Sequence, residues 1–113
     1  MSMADALDRG RESFSRQAWK DAFAQLSAAD DGTTLEVEDL ELLAVAAYLI
    51  GDDEAAAAAW TRAHHSWLDA ANMSRAVRCA FWLGLRLMLK GDMAQSGGWF
   101  ARARRLLADG RME

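Results

Sequence analysis

The chain has 113 residues, of which 52% are apolar and 27% charged, and its formal net charge at pH 7 is -4. This length suits one compact domain with a single core, and the composition excludes a disordered chain. No apolar run reaches the roughly 20 residues that span a bilayer. A single cysteine and the absence of a signal peptide after Met1 lead us to expect a cytoplasmic protein without a membrane span.

Glycines and capping residues divide the chain into six predicted helices. Proline is absent and alanine is abundant, which favours helix throughout. Four glycines follow apolar periodic segments, as helix C-terminal caps do: Gly32, Gly51, Gly91 and Gly110. Three polar residues stand at N-cap positions, and the last of them forms a possible capping box with Gln95: Asp52, Asn72 and Asp92.

The predicted helices cover residues 3–15, 17–29, 36–50, 53–70, 73–90 and 92–108. Most connections between them are very short. Short connections force consecutive helices to run antiparallel, so we expect three helical hairpins in one domain, 1–113, with repeat units at 3–30, 36–70 and 73–108.

One register aligns the three hairpins. Five sets of residues are each spaced by 34 and then 40 positions. Three sets are small (Gly10, Ala44, Gly84; Ala22, Ala56, Ser96; Ala29, Ala63, Ala103), one stands at turns (Gln17, Gly51, Gly91) and one is large and apolar (Leu26, Trp60, Phe100). A small residue lets two helices approach closely, and a large apolar residue four positions later fills the adjoining groove. The six additional residues of the second unit are predicted to lengthen the fourth helix and its exit.

This pattern resembles the tetratricopeptide repeat (TPR), a helix-turn-helix unit of 34 residues. The third unit, "AFWLGLRLMLKGDMAQSGGWFARA", carries the small and large positions of the family in order: Leu83, Gly84, Gly91, Ser96, Phe100 and Ala103. The terminal proline of the family is absent, Ser96 replaces an alanine, and the spacing of 40 is irregular. The resemblance implies an all-α fold in which three hairpins stack as a right-handed superhelix.

A second resemblance covers nearly the whole chain. The segments "RGRESFSRQAWKDAFAQLSAAD", "EDLELLAVAAYLIGDDEAAAAAWTRAHHSWLDA" and "RCAFWLGLRLMLKGDMAQSGGWFARARRLL" are similar to the TPR-like segment ahead of the helix-turn-helix domain in actinobacterial LuxR-type transcriptional regulators. Eleven arginines against two lysines suit such a GC-rich source. No DNA-binding domain follows Glu113, so the resemblance implies a regulatory segment or a free-standing relative and carries no DNA binding with it.

The fifth helix provides the main functional prediction, because between Phe81 and Leu89 only Gly84 and Arg86 interrupt its apolar sequence. The first helices of repeat hairpins line a concave surface. On that basis the resemblance assigns nine residues to an apolar groove: Arg11, Phe14, Glu41, Val45, Tyr48, Arg78, Phe81, Leu85 and Met88. We expect the groove to hold a partner peptide, a partner helix or a second copy of the chain. Alternatively, these side chains pack on each other or on a further repeat. The alternative function is that of a segment that senses a small ligand in a LuxR-type transcription regulator.

The titratable residues favour a binding protein over an enzyme. His64 and His65 are adjacent and project about 100° apart on a helix, which does not suit a metal site, and only Asp69 lies one turn away. Cys79 is predicted to be a small core residue. Three carboxylates near a helix start favour its dipole: Glu38, Asp39 and Glu41. No phosphate-binding loop, dinucleotide motif or nucleophile elbow is present, so we expect no catalysis, no cofactor and no metal.

Charge is divided between the two halves of the sequence. Residues 1–56 carry 4 basic and 13 acidic side chains, whereas residues 57–113 carry 9 basic and 4 acidic ones. The simpler interpretation is two solvated faces, and the sharper one is head-to-tail self-association, as in a homodimer. The overall acidity argues against direct binding of nucleic acid.

The tryptophans and one pair of glycines are expected to take part in packing. Trp60 and Trp99 are predicted to pack in the core or between repeats, and Trp19, at a turn, to brace its hairpin. Two others are candidate surface anchors: Trp67 and Trp82. Gly97 and Gly98 each cost about 1 kcal/mol relative to alanine inside a helix, so we expect at least one to permit close helix packing.

Overall fold

In the computed structural model, which describes residues 3–111, all regular structure is helical. The six helices are α1 Met3–Ser15, α2 Trp19–Gly32, α3 Val37–Leu49, α4 Asp53–Asp69, α5 Met73–Leu89 and α6 Met93–Arg111. The all-α prediction and the number of helices are therefore confirmed, with bounds that differ from the predicted ones by no more than three residues. None of the described helices is long and apolar enough to cross a membrane.

The chain forms two compact units, Met1–Ala59 and Trp60–Glu113, and the division falls inside α4. In the first unit α1 and α2 form a hairpin, and α3 packs against α2 and α1. In the second unit α5 and α6 form a hairpin. These two hairpins agree with the first and third predicted repeats, and the stacking of the repeats as a superhelix stays a prediction.

Four of the turns between helices share one geometry, in which a single residue takes a left-handed conformation with φ between 58° and 90°: Gln17, Gly51, Ala71 and Gly91. In the second of these turns the N–H of Gly51 donates to the carbonyl of Tyr48 at 3.1 Å, and the N–H of Asp52 donates to the carbonyl of Ala47 at 2.9 Å. The same pair of bonds closes the other three turns, so α1, α3, α4 and α5 each end in a Schellman motif. The predicted turns at Gln17, Gly51 and Gly91 are confirmed.

Ala71 was missed as a left-handed residue, and it explains the irregular spacing. It stands 20 positions after Gly51 and 20 before Gly91, so the interval of 40 contains two equal helical steps. Compared with the preceding interval, α4 is three residues longer than α2, α5 is four longer than α3, and the connection between the two helices is one residue shorter. The prediction that only the fourth helix and its exit are lengthened is therefore wrong.

The predicted N-caps are also confirmed. A side-chain oxygen of Asp52 accepts the N–H of Ala55 at 3.1 Å, and Asn72 and Asp92 make the equivalent bonds at 3.2 Å. The side chain of Gln95 donates to the Asp92 carboxylate at 2.8 Å instead of reaching its backbone N–H, so no reciprocal capping box forms. Two C-caps are wrong: Gly32 is the last residue of α2, and α6 continues through Gly110.

Two glycines allow the hairpins to close. A Cβ added to Gly10 on α1 would lie 2.7 Å from Cγ of Leu26 on α2, and one added to Gly84 on α5 would lie 3.0 Å from the Phe100 ring on α6. Both predicted close contacts are confirmed. A Cβ added to Gly97 or Gly98 would meet nothing within 4 Å. The predicted role of this pair in close helix packing is therefore wrong, because both residues lie on the exposed side of α6.

Most of the small and large residues of the repeat register are buried in the core, together with further leucines and alanines of the helices. The alanines of the register are buried, as are Leu26, Trp60 and Ser96, whereas Phe100 is half-buried. Cys79 is buried, as predicted. Trp67 is buried and so is no surface anchor, because it packs inside the second unit, with the Arg75 guanidinium over its ring at 5.1 Å. Trp99 is only half-buried, which does not fit a place in the core, and its packing between repeats stays a prediction.

Candidate functional site

The nine predicted groove residues are all exposed or half-buried, and five of them belong to the first unit. Phe14 is half-buried and packs edge-on against Trp19, with ring centroids 5.1 Å apart, which confirms that Trp19 braces the first turn. Glu41 and Val45 are half-buried on α3. Tyr48 is exposed at the end of α3, and the two apolar residues that follow it, Leu49 and Ile50, are exposed as well.

The fifth of these residues, Arg11, is engaged inside its own unit. Its Nε and Nη2 donate to the two carboxylate oxygens of Asp39 at 2.9 and 2.8 Å, and only 3% of Asp39 is exposed. These hydrogen bonds raise the pKa of Arg11 above its ordinary value. Asp39 was interpreted as a charge at a helix start, and no local sequence signal could have paired it with a residue 28 positions earlier. Arg11 therefore ties α1 to α3.

The other four predicted residues lie on α5. Phe81 and Met88 are exposed, Arg78 is exposed, and Leu85 is half-buried. The Phe81 ring lies beside two others, with centroids 5.9 Å from Trp82 and 5.8 Å from Phe100. The second unit thus keeps Phe81 and Met88 in contact with solvent on the face of α5 that the sequence predicted.

The exposed part of α5 is larger than predicted. Four of its large apolar residues are between 38% and 66% exposed, and we call them the α5 strip: Phe81, Trp82, Met88 and Leu89. They recur at spacings of one, six and one along the helix, which places them on one face. Trp82 stacks on Trp60 at 6.1 Å with the rings nearly parallel, so its ring is held in one orientation. This outcome agrees with the interpretation of Trp82 as a surface anchor.

Two open clefts lie elsewhere, and none of the nine predicted residues lines either of them. The first, of about 560 Å³, belongs to the first unit and is formed where α2 begins and α3 ends: Ala18, Trp19, Lys20, Asp21 and Ile50. The second, of about 280 Å³, follows one face of α6 and is called the α6 cleft: Gln95, Gly98, Trp99, Arg102 and Arg105. The sequence alone gave no signal that a glycine of this pair and the arginines line one cleft.

His64 is the most enclosed titratable group of the second unit. Its Nδ1–H donates to the carbonyl of Ala76 at 2.8 Å, and its buried Nε2 has no hydrogen-bond partner among the described residues. Burial is the main cause that lowers the pKa of His64, and the positive charge of Arg102 adds to it. The imidazole is therefore neutral near pH 7 and packs edge-on against Trp99, with ring centroids 5.6 Å apart.

Within the described part of the chain, no three His, Cys, Asp or Glu side chains come close enough together to hold a metal ion. His64 and His65 are neighbours, but the first is buried and the second is exposed. No protein-family model, curated protein or solved structure matches the chain.

Proposed function

We propose that the chain is a TPR-like protein-interaction module that acts in the cytoplasm and binds a partner peptide, a partner helix or a second copy of itself. The observation that carries this proposal is the α5 strip. Four large apolar side chains on one helix face stay in contact with solvent. Apolar surface of this kind is removed from water when a partner binds, at roughly 25 cal/mol for each Å² buried.

The composition of the α5 strip supports binding by a few strong contacts. Tryptophan is enriched among the residues that dominate interface energies, and methionine adapts to irregular partner surfaces. Trp82 already stacks on Trp60, so it loses little conformational freedom when a partner covers it. Phe81 is the predicted groove residue that lies beside it.

The resemblance to TPR segments of LuxR-type regulators supports the same proposal. Such segments are built from helical hairpins, and the chain forms hairpins of that kind at both ends of its repeat register. The Schellman turns at Gln17, Gly51 and Gly91 recur at the predicted offsets of 34 and 40. In this proposal the segment recognises protein and does not itself bind nucleic acid.

The experiment replaces Phe81 and Met88 by serine in one variant and compares it with wild type and with Leu107→Gln. Leu107 is an exposed apolar residue of α6 outside the α5 strip and serves as the matched control. Sedimentation equilibrium measures self-association, and affinity capture from the source organism measures other partners. We expect wild type and the control to associate and the double variant to lose association while keeping its helical circular dichroism. Equal association of all three would contradict the α5 strip as the binding surface.

A second candidate function is a small-ligand-sensing segment of a LuxR-type regulator. The two open clefts favour it, because each combines an aromatic wall with polar side chains. A ligand that binds only the folded state raises the Tm, and the rise grows with the ratio of the free ligand concentration to its Kd. A thermal-shift screen with metabolites therefore distinguishes this function from binding of a protein through the α5 strip.

A further inference from the structure

Among the described residues, no neighbouring atom packs closely against Gly97 or Gly98 of α6. Gly97 and Gly98 lie in the middle of a 19-residue helix, where each costs about 1 kcal/mol relative to alanine, and a side chain at either position would have open space. The two glycines nevertheless differ in their surroundings. Gly98 lines the α6 cleft and Gly97 does not.

The α6 cleft places donor groups on successive turns around Gly98. Gln95, Gly98, Arg102 and Arg105 follow each other at spacings of three, four and three, so they share one face of the helix. Gly98 leaves an open space between the amide of Gln95 and the two guanidinium groups. Trp99 forms the wall of this space.

The two arginines are available and one of them is already positioned. The Arg102 guanidinium lies over the Trp99 ring, 5.5 Å from its centroid, which fixes its place by a cation–π contact. Among residues 4–109, whose side chains the structure describes, neither Arg102 nor Arg105 forms an ion pair. No carboxylate occurs between Met93 and Ala108, and Asp109, which stands one turn after Arg105 on α6, forms no ion pair with it.

We propose that the α6 cleft binds a small molecule through an oxyanion group, a phosphate or a carboxylate, which Arg102 and Arg105 hold above Gly98. Guanidinium groups present paired N–H donors that match the geometry of both anions. The Gln95 amide, which donates one hydrogen bond to Asp92, lies at the other end of the cleft. This site is separate from the α5 strip and stands if the proposed protein-interaction function fails.

An oxyanion bound in the α6 cleft explains why position 98 is a glycine. A side chain at this position would occupy the space that the oxyanion needs, whereas a side chain at Gly97 would point away from the cleft lining. The lower helix propensity of Gly98 is then the cost of an open binding surface. Two substitutions of equal size at adjacent positions can therefore separate binding from stability.

The experiment compares Gly98→Leu, Gly97→Leu and Arg105→Gln with wild type. The probes are inorganic phosphate and citrate, titrated against sodium chloride at equal ionic strength, and binding is followed by the NMR signals of the Trp99 indole and the arginine Nε–H groups. We expect wild type and Gly97→Leu to bind equally well. Gly98→Leu and Arg105→Gln should each weaken binding at least about tenfold, since charge-assisted bonds of this type are the strong ones.

The two probes also distinguish the source of the oxyanion, since tighter binding of phosphate indicates a phosphorylated ligand and tighter binding of citrate indicates a carboxylic acid. Both leucine variants should raise the Tm, because leucine is a better helix former than glycine. Equal weakening by Gly97→Leu and Gly98→Leu, or no saturable binding of either probe by folded wild type, would overturn the proposal.

His64 provides an independent readout. The charge of Arg102 helps to lower the pKa of His64, so an anion bound at Arg102 should partly cancel that effect and raise the pKa of His64. The NMR titration of its ring carbons, with and without saturating probe, measures this change. An unchanged His64 titration at saturation would place the anion away from Arg102 and contradict the site.

Discussion

The hairpin of α1 and α2 and the hairpin of α5 and α6 close on the same contact, but the units to which they belong bury different polar groups. In each, a glycine of the first helix faces a large apolar residue 16 positions later, Leu26 after Gly10 and Phe100 after Gly84. The turn between the two helices has the same left-handed residue and the same pair of hydrogen bonds. The shared geometry follows from close approach of two helices, which requires a small residue at the crossing point.

Electrostatics distinguishes the two units to which these hairpins belong. Residues 1–59 carry 4 basic and 13 acidic side chains, a net charge of -9, and residues 60–113 carry 9 basic and 4 acidic ones, a net charge of +5. The acidic unit buries a carboxylate and pairs it with Arg11. The basic unit buries a neutral imidazole, His64. A polar group can thus enter either core, provided that it is paired with an opposite charge or remains uncharged.

The largest expected effect comes from the ion pair of the first unit. Arg11→Met leaves the buried carboxylate of Asp39 without its partner, and we expect a loss of about 2 to 3 kcal/mol in the free energy of unfolding. The control is Arg16→Met, directly after the same helix, because Arg16 pairs with Glu12 on the exposed surface and should contribute less than about 1 kcal/mol. Urea denaturation measures both. Equal losses would mean that Asp39 is not buried as described.

The close glycine contacts differ in tightness between the two hairpins. Gly10→Ala brings a methyl group to 2.7 Å from the fully buried Leu26, so we expect a loss of about 1 to 2 kcal/mol. Gly84→Ala meets a half-buried ring at 3.0 Å, which can move, and its loss should be smaller than about 1 kcal/mol. Thermal denaturation of both variants tests the order. A greater loss for Gly84→Ala would show that the second hairpin is the more tightly packed.

The buried imidazole makes the second unit sensitive to pH. His64 has a lowered pKa in the folded state, so the unfolded chain binds its proton first, and stability is complete above about pH 6.5 and falls as the pH drops below that value. Between pH 7.5 and 5.5 we therefore expect the free energy of unfolding to decrease through this group. His64→Gln should reduce the pH dependence, because it removes the buried imidazole. Urea titrations at the two pH values measure the difference, and an unchanged dependence in His64→Gln would contradict a neutral buried His64.

The smallest expected effect concerns the turns, where the units are alike. Gln17 and Ala71 adopt left-handed conformations without being glycine, which is unfavourable for a residue with a Cβ. Replacement of either by glycine should raise stability by about 0.5 kcal/mol, after the greater flexibility of glycine in the unfolded chain is subtracted. Differential scanning calorimetry can detect the rise in Tm. A gain at only one of the two positions would show that the two turns are not equivalent.

Much of the fold could be predicted because its signals are local. Helix ends depend on residues within one turn of the boundary, such as the Asp52 side chain and the left-handed Gly51, and both act as predicted. Ala71 could not be recognised, since alanine gives no sequence signal for a positive φ. The division of the extra residues between α4 and α5 was missed for the same reason.

The candidate sites depended less on local signals. The apolar sequence of α5 led to the prediction of a groove that includes Phe81 and Met88, and both residues are exposed, while the groove itself stays a prediction. It could not show that Arg11 is held by Asp39, because that pair joins residues far apart in the chain. The role predicted for Gly97 and Gly98 was wrong, since the exposed face of a helix is decided by what packs against it.

The sequence by itself determined the helices, the turns at Gln17, Gly51 and Gly91 and the glycine contacts that close the two hairpins, because all of these follow from backbone conformation and side-chain size at fixed spacing. The tertiary structure alone decided which charges are paired, which histidine is buried and which glycine lines a cleft. These features depend on the distance and solvent access of groups from different helices, and neither quantity is written in the spacing of residues along one helix.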